Sequence, residues 1–278
     1  MVKNLRTYSI PVLLLGIVFL FCGCRVDLLG LFGSTDLSKR LDAKNNFTFL
    51  NRAGAPALDL TAASYSFIVV SDTHIEDGDA FGLENLKDVV AANSEIKFVA
   101  VTGDITQNAA EKDILKFIEI ADSLGVPCYP AIGNHDIYFG NWSSWKELIG
   151  STMYRRDSGN TTLIVLDTAN AYLGKDQLDW LDRELRSSGS RTFVFTHTNL
   201  FVENPLELQQ LTDTTERARF ISILRGRCDY VFTGHLHERI IKEAGGVTCI
   251  SLEDFRRQSV YCLVSVSPGG ISYKFEKL

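Results

Sequence analysis

The stretch Phe67-Ile68-Val69-Val70-Ser71-Asp72-Thr73-His74 joins four apolar residues, three of them β-branched, to a polar and ionisable tail. A short apolar run without alternation reads as a strand buried on both faces. Its polar continuation then marks the strand's carboxyl end. Four more runs are built the same way. Residues 98–101 lead to Gly103-Asp104, and 128–132 lead to Gly133-Asn134-His135-Asp136. Residues 193–195 lead to His197, and 230–232 lead to Gly234-His235-Leu236-His237.

The segments between these runs read as helices. Residues 83–93, 109–124 and 176–185 carry helical patterns. In the second, Ile114, Phe117, Ile118 and Ala121 share a stripe and Gly125 is the stop. A further strand is expected at 163–166. After His237 the pattern becomes short strands without helices, at 239–242, 247–251, 260–266 and 271–275. Alternating strands and helices imply parallel β-α units, and the helix-poor end implies antiparallel strands. The expected fold is α/β, with two packed mixed sheets flanked by helices.

Ligands of α/β sheets bind beyond the carboxyl ends of the strands. Five such ends here deliver Asp72, His74, Asp104, Asn134, His135, His197, His235 and His237. The chain has five histidines, and all five fall in these segments. Each motif alone has a bland reading: Asp-x-His as a turn, Asp104 as a helix cap, His197 as a core histidine. A polar triplet such as Asn134-His135-Asp136 directly after a strand is costly to bury unless satisfied. Five such endings in order are hard to reconcile with the bland reading.

The ordered set resembles the calcineurin-like metallophosphoesterases, whose motifs run D-x-H, G-D, G-N-H-[DE], a lone H and G-H-x-H. The resemblance covers roughly residues 67–278 and implies a four-layer α/β/β/α sandwich with the site at the strand carboxyl ends. It implies that Asp72, His74 and His237 hold one metal ion, that Asn134, His197 and His235 hold a second, and that Asp104 bridges them. It makes His135 the electrostatic partner of the phosphate or the leaving-group acid, and Asp136 the group that orients the His135 ring. Oxygen and imidazole donors suit Mn, Fe, Zn, Ni or Co, as divalent or trivalent ions. The implied reaction is hydrolysis of a phosphate ester by a metal-bridging hydroxide. Asp167 and Gln177-Leu178-Asp179-Trp180-Leu181 match a structural segment of the family.

Departures narrow the subfamily. Protein phosphatases of this group carry G-D-x-x-D-R-G and G-N-H-E, whereas Gln107-Asn108 and Asp136 stand here. The phosphate-gripping arginine of that pattern is absent. Gln107 also replaces the tyrosine of purple acid phosphatases, and the chain ends too soon for the added domain of bacterial 5′-nucleotidases. What remains resembles small bacterial phosphodiesterases, including the cyclic-nucleotide type. Many of those have proline soon after the lone histidine, where Thr198-Asn199-Leu200 stands here. Asn199 and Tyr138 are candidates to line the pocket. The expected substrate is a phosphodiester or small phosphomonoester. The alternative is an inactive lipid-anchored binding protein on the same scaffold, against which no motif ligand is missing. A structural metal site closes with four ligands, fewer than the seven here.

Lys3 and Arg6 precede an apolar run from Ile10 to Phe21, about a dozen residues where a span needs about 20. Residues 1–23 therefore read as a signal peptide. Phe21-Cys22-Gly23-Cys24 resembles a bacterial lipobox, with Cys24 as the lipidated residue. The expected organisation is a signal peptide at 1–23, lipid attachment, tether and extension at 24–64, and one catalytic domain at 65–278. An added hairpin is expected within the extension. The implied location is outside the cytoplasm, on a bacterial membrane. Loss of Lys3 and Arg6 with the signal takes the net charge from −6 to −8, which argues against nucleic acid as a partner. Cys128, Cys228, Cys249 and Cys262 lack metal-ligand spacing, which argues against a thiolate site. Cys128 reads as a small buried side chain, and any pairing among the four stays open.

Overall fold

The computed structural model describes residues 36–201, 211 and 213–278. The signal segment, Cys24 and the tether up to residue 35 lie outside the described residues.

Side chains alternate across a strand, and along β1 (Tyr65–Val70) both faces are apolar and all six residues are buried. Phe67 and Val69 point one way, into a core shared with a second sheet. Ile68 and Val70 point the other way, against helices. Strand β2 (Ile96–Thr102) divides identically: Phe98 and Ala100 face the second sheet, Val99 and Val101 the helices. With β3 (Cys128–Ala131), these strands form a parallel set. Antiparallel β10 (Val260–Ser267) and β11 (Gly270–Lys277) extend it, in the order β11-β10-β1-β2-β3.

The second sheet runs β4-β5-β6-β7-β9-β8. Its parallel centre is β5 (Thr161–Val165), β6 (Arg191–Phe195), β7 (Tyr230–Thr233) and β9 (Val247–Ser251). Antiparallel β4 (Tyr154–Ser158) and β8 (Ile240–Ala244) form the edges. Phe193, Phe195 and Phe232 face the first sheet, and Val194 and Val231 face away. The Phe67 ring stacks on Phe98 at 4.5 Å and meets Phe193 edge-on at 4.8 Å. Burying each such ring contributes about 1.5–3 kcal/mol relative to exposure.

Helices cover both outer faces, which gives the expected four layers. Against the first sheet lie α2 (Leu86–Ala92), α3 (Glu111–Ser123) and α4 (Trp142–Leu148). Against the second lie α5 (Lys175–Glu184) and α6 (Thr214–Leu224). Helix α3 buries Ile114, Phe117, Ile120 and Ala121 and ends before Gly125, whose φ is 74°. Ile118 is only partly buried, at the margin of that stripe.

The extension differs from the expected hairpin. Residues 36–64 form one short helix, α1 (Leu37–Leu41), followed by turns, with no strand among the described residues. Asp36 caps α1 by accepting from the Ser38 amide. Leu37 and Arg40 are buried, and Phe49 and Leu60 enter two separate cores. The reason is side-chain anchorage: this segment docks through isolated buried residues, without a ladder. All four described cysteines are free and buried. Burial pushes the Cys128, Cys249 and Cys262 thiols up to about 12.

Candidate metal centre

The loops after β1 and β2 run side by side. The Asp72 amide donates to the Gly103 carbonyl, His74 to Asp104, and Ile75 to Ile105. The loop after β7 joins them, because the His235 amide donates to the Asp72 carboxylate at 3.0 Å. The loop after β3 does the same, because the His135 amide donates to Asp104 Oδ1 at 2.8 Å. Asp104 thus spends Oδ1 on a neighbouring motif and turns Oδ2 inward, while the His235 amide reaches both Asp72 oxygens, at 3.0 and 3.2 Å. Gly103 permits this convergence: a Cβ there would strike the His197 ring, and its φ is 90°. At Gly234 a Cβ would strike Ser71 Oγ and the Asp72 carboxylate.

The inward atoms crowd together. Asp72 Oδ1 lies 3.3 Å from His237 Nε2 and 3.8 Å from His74 Nε2. Asp104 Oδ2 lies 3.2 Å from His197 Nε2, 3.9 Å from His74 Nε2 and 4.0 Å from His135 Nε2. His197 Nε2 also faces Asn134 Oδ1 at 3.0 Å and His235 Nδ1 at 3.1 Å. Three groups of donors, Asp72–His74–His237, His74–Asp104–His135 and Asp104–His197–His235, each lie within 4.8 Å of one another. All seven expected metal ligands meet in one place. Donors about 2.1 Å from a shared cation stand roughly 3–3.5 Å apart, so these separations fit metal ligation.

Five of the seven, Asp72, His74, Asp104, His235 and His237, have φ between 44° and 76°. Left-handed backbone costs a non-glycine residue about 1–2 kcal/mol. Such strain gathers where function over-determines the chain.

Outer partners set the imidazole tautomers. A carbonyl oxygen only accepts, so His197 Nδ1–H donates to Thr102 O at 2.9 Å. In the neutral ring this leaves the Nε2 lone pair facing the oxygens of Asp104 and Asn134. Lone pair against lone pair is unfavourable without a proton or a cation between them. His237 Nδ1 sits 3.3 Å from Asp254 Oδ2, the carboxylate–histidine pairing that metal ligands commonly use. Tyr138 Oη accepts from Asn134 Nδ2 at 2.9 Å, which turns Asn134 Oδ1 towards the cluster.

The electrostatics follow. Burial pulls His197 down, yet Asp104 and Asp72 overcome it and raise the group to about 9. Burial lowers His74 to about 4 despite the nearby Asp104 and Asp72. Burial and then the His197 charge lower His235 to about 3. Burial opposes ionisation of Asp104, but His197 and His135 hold its carboxyl well below the usual range.

Asp136 departs from its expected role. Its carboxylate accepts from the amides of Ile105, Thr106 and Gly133, and from Thr106 Oγ1 at 3.0 Å. The His135 ring is held instead by the Gln107 carbonyl, 2.8 Å from Nδ1. Asp136 is therefore a buried brace between the loops after β2 and β3. Burial and the Asp104 charge raise it to about 6. Asn199 is also buried, its amide nitrogen donating to the Phe201 carbonyl, so it braces its loop. Tyr138 is buried against His135, with ring centroids 4.4 Å apart. Sequence reasoning missed Asp254, which follows β9 in a segment without a motif. Its one signal was a place at a strand's carboxyl end.

Asp167 and Gln177 do form a structural unit. Gln177 Oε1 accepts the Asp167 amide, and Gln177 Nε2 donates to the Asp167 and Leu173 carbonyls. Arg40 donates to both carboxylate oxygens of Asp167, at 2.7 and 2.8 Å.

Carboxylate, amide and imidazole donors gathered at the strand ends of two mixed sheets define a metal-dependent phosphoesterase fold and site. The chain belongs to the calcineurin-like phosphoesterases, whose sequence model matches residues 65–239. A probable cyclic nucleotide phosphodiesterase of Fibrobacter succinogenes is 25% identical over 227 residues, covering 72% of this chain and 85% of the relative. The 3′,5′-cyclic adenosine monophosphate phosphodiesterase CpdA of Pseudomonas aeruginosa is 24% identical over 255 residues, covering 81% of this chain and 85% of the relative. Among solved structures, purple acid phosphatase PPD1 of yellow lupin is similar with TM-score 0.61 and 11% identity, over 81% of this chain and 52% of that one. GAP50 of Plasmodium is similar with TM-score 0.59 and 12% identity, over 78% and 85%. At such identities the structural likeness shows the fold alone.

Proposed function

We propose that this protein is a dinuclear metal phosphodiesterase acting on a small phosphodiester, of which a cyclic nucleotide is the leading example. The observation that carries the reading is the crowding at His197 Nε2, with Asn134 Oδ1, Asp104 Oδ2 and His235 Nδ1 within 3.2 Å. A neutral ring nitrogen so surrounded needs a proton or a cation, and a cation shared by all four donors satisfies them together. Asp104 supports a bridging role, since its Oδ2 faces both the His74 and the His197 sides. The names of the relatives support the diester.

When bound, two such cations supply a nucleophile at neutral pH and charge stabilisation at phosphorus. The chain's own residues do the remaining work. His135 keeps Nε2 free, because Nδ1 is engaged by the Gln107 carbonyl. Its side chain is 20% exposed, against 4% for His74 and 0% for His197; His237 is more exposed, at 32%, but both of its ring nitrogens face carboxylates, Asp72 and Asp254. When it also carries a proton on Nε2, as the imidazolium, His135 can donate that proton to a leaving oxygen. Tyr138 packs against the ring, with centroids 4.4 Å apart.

The test is a panel of bis-p-nitrophenyl phosphate, p-nitrophenyl phosphate and 3′,5′-cyclic AMP, with the purified protein under Mn, Fe, Zn, Ni and Co. Diester turnover should need metal and vanish on chelation. His135→Ala should lower kcat about 100-fold or more. Metal-loaded protein that hydrolyses no ester would refute the reading.

A further inference from the structure

Among the described residues, Phe139 is the one aromatic side chain that is exposed, at 57%. A single exposed apolar residue is ordinary. Two further features make this one unusual. Its φ is 56°, in the left-handed region, where a bulky residue is an outlier. It also stands four residues after His135, in the same 3₁₀ segment, which breaks at Tyr138 and Phe139.

The surrounding geometry fixes where the ring lies. His74 and His135 meet edge-on at 4.6 Å, His135 and Tyr138 lie 4.4 Å apart, and Tyr138 and Phe139 lie 6.0 Å apart at 76°. The rings thus step outward from the metal cluster to the surface. Tyr138 is buried and cannot offer a face, whereas Phe139 can. The loop is held from behind: the Asn141 amide donates to the Tyr138 carbonyl at 3.0 Å, and Asn141 Nδ2 donates to the Asn108 carbonyl at 3.4 Å. Gly140, with φ 72°, continues the turn. A strained backbone braced to keep an aromatic ring in solvent, one ring beyond the Tyr138 that packs on His135, fits a platform for something flat.

We propose that Phe139 is a specificity residue that stacks on the planar base of a nucleotide ester whose phosphate sits over the cluster. This rests on the phosphoesterase reading above and names the part of the substrate that the metal-binding residues do not touch. Base–aromatic stacking tolerates any base, because every base has a π face. The residue therefore sets a preference for nucleotides over alkyl phosphates without choosing among bases.

The experiment compares AMP with ribose 5-phosphate, which lacks only the base, by calorimetry on the full metal-loaded chain. Wild type should bind AMP about tenfold more tightly, the scale of one stacking contact. Phe139→Ala should erase that preference while leaving ribose 5-phosphate affinity unchanged, and Phe139→Trp should keep it. Equal affinities in wild type, no AMP binding by wild type, or a preference that survives in Phe139→Ala would each overturn the proposal. So would equal loss for both ligands in Phe139→Ala, which would mark a residue that only shapes its loop. Because the readout is binding, a protein that hydrolyses no ester would refute the catalytic reading and leave this comparison standing.

Discussion

Asp167 and Asp104 each follow a buried parallel strand, and both side chains are almost wholly closed to solvent. Around Asp167 stands Arg40, bidentate and equally buried, together with the Ala169 amide. Around Asp104 stand the imidazoles of His197, His74 and His135. A guanidinium keeps its proton at any ordinary pH, so the charge on Asp167 is answered permanently and nothing more is needed there. Imidazoles can give up their protons, and once neutral they add lone pairs beside Asp104 instead of positive charge. The comparison teaches that burial alone does not mark a reactive carboxylate. What marks it is whether its partners can turn from donors into acceptors.

The largest expected effect separates the two aspartates by chemistry. Asp104→Asn should leave a folded protein whose ester turnover is lower by orders of magnitude and whose metal content falls. Turnover near wild type in that variant would break the comparison. The next effect separates them by stability. Arg40→Ala leaves the Asp167 carboxylate buried without its partner, a loss of about 3–5 kcal/mol that denaturant unfolding should read. Metal affinity of the folded fraction should change little. A stability loss under about 1 kcal/mol would place the pair among interactions of exposed strength.

The smallest effect concerns a single proton. In the metal-free protein His197 titrates at about 9, above its ordinary 6.5. It is therefore protonated at pH 7.5 and must lose that proton to ligate a cation. His74 and His235, at about 4 and 3, are already neutral and release none. His197 should therefore contribute about one proton on metal binding at pH 7.5. His237, which burial lowers but Asp72 and Asp254 raise on balance, can only add to it; calorimetry in buffers of different ionisation enthalpy reads the total. Affinity should weaken as pH falls below 9. The sign for metal-free stability is the reverse. The His197 contribution is fully present below pH 6.5 and is lost as pH rises through about 9. Heats that do not depend on the buffer would remove His197 from the ligand set.

Much of this arrangement was legible in the chain because the central strands are buried on both faces. Such strands leave unbroken apolar runs, and the groups that follow them stand out. β9 matches its expected bounds, 247–251. What escaped lies where that contrast fails. Strand β4 is Tyr154-Arg155-Arg156-Asp157-Ser158, an edge strand whose charges face solvent and ion partners. Helix α6 is capped by Asp213, yet its apolar residues make only a weak stripe. That the motif side chains would converge in one place was readable from motif order. The Asp136 role was misread because its carboxylate bonds to the amides of neighbouring loops and not to the adjacent His135 ring. Arg40 and Asp167 are 127 residues apart and Asp254 belongs to no repeat of the pattern, so no local signal joins them to their partners.

The left-handed backbone at five of the seven candidate metal-ligand positions has a consequence for the protein's heat tolerance. Conformations of that kind persist only while the surrounding fold enforces them. A cation bound to the folded arrangement alone shifts the unfolding equilibrium by mass action, by about 4 kcal/mol at a thousandfold excess over its Kd. With a cation so bound, the melting temperature should track the free metal in the medium, and durability should depend on the ionic supply around the molecule as well as on its own packing.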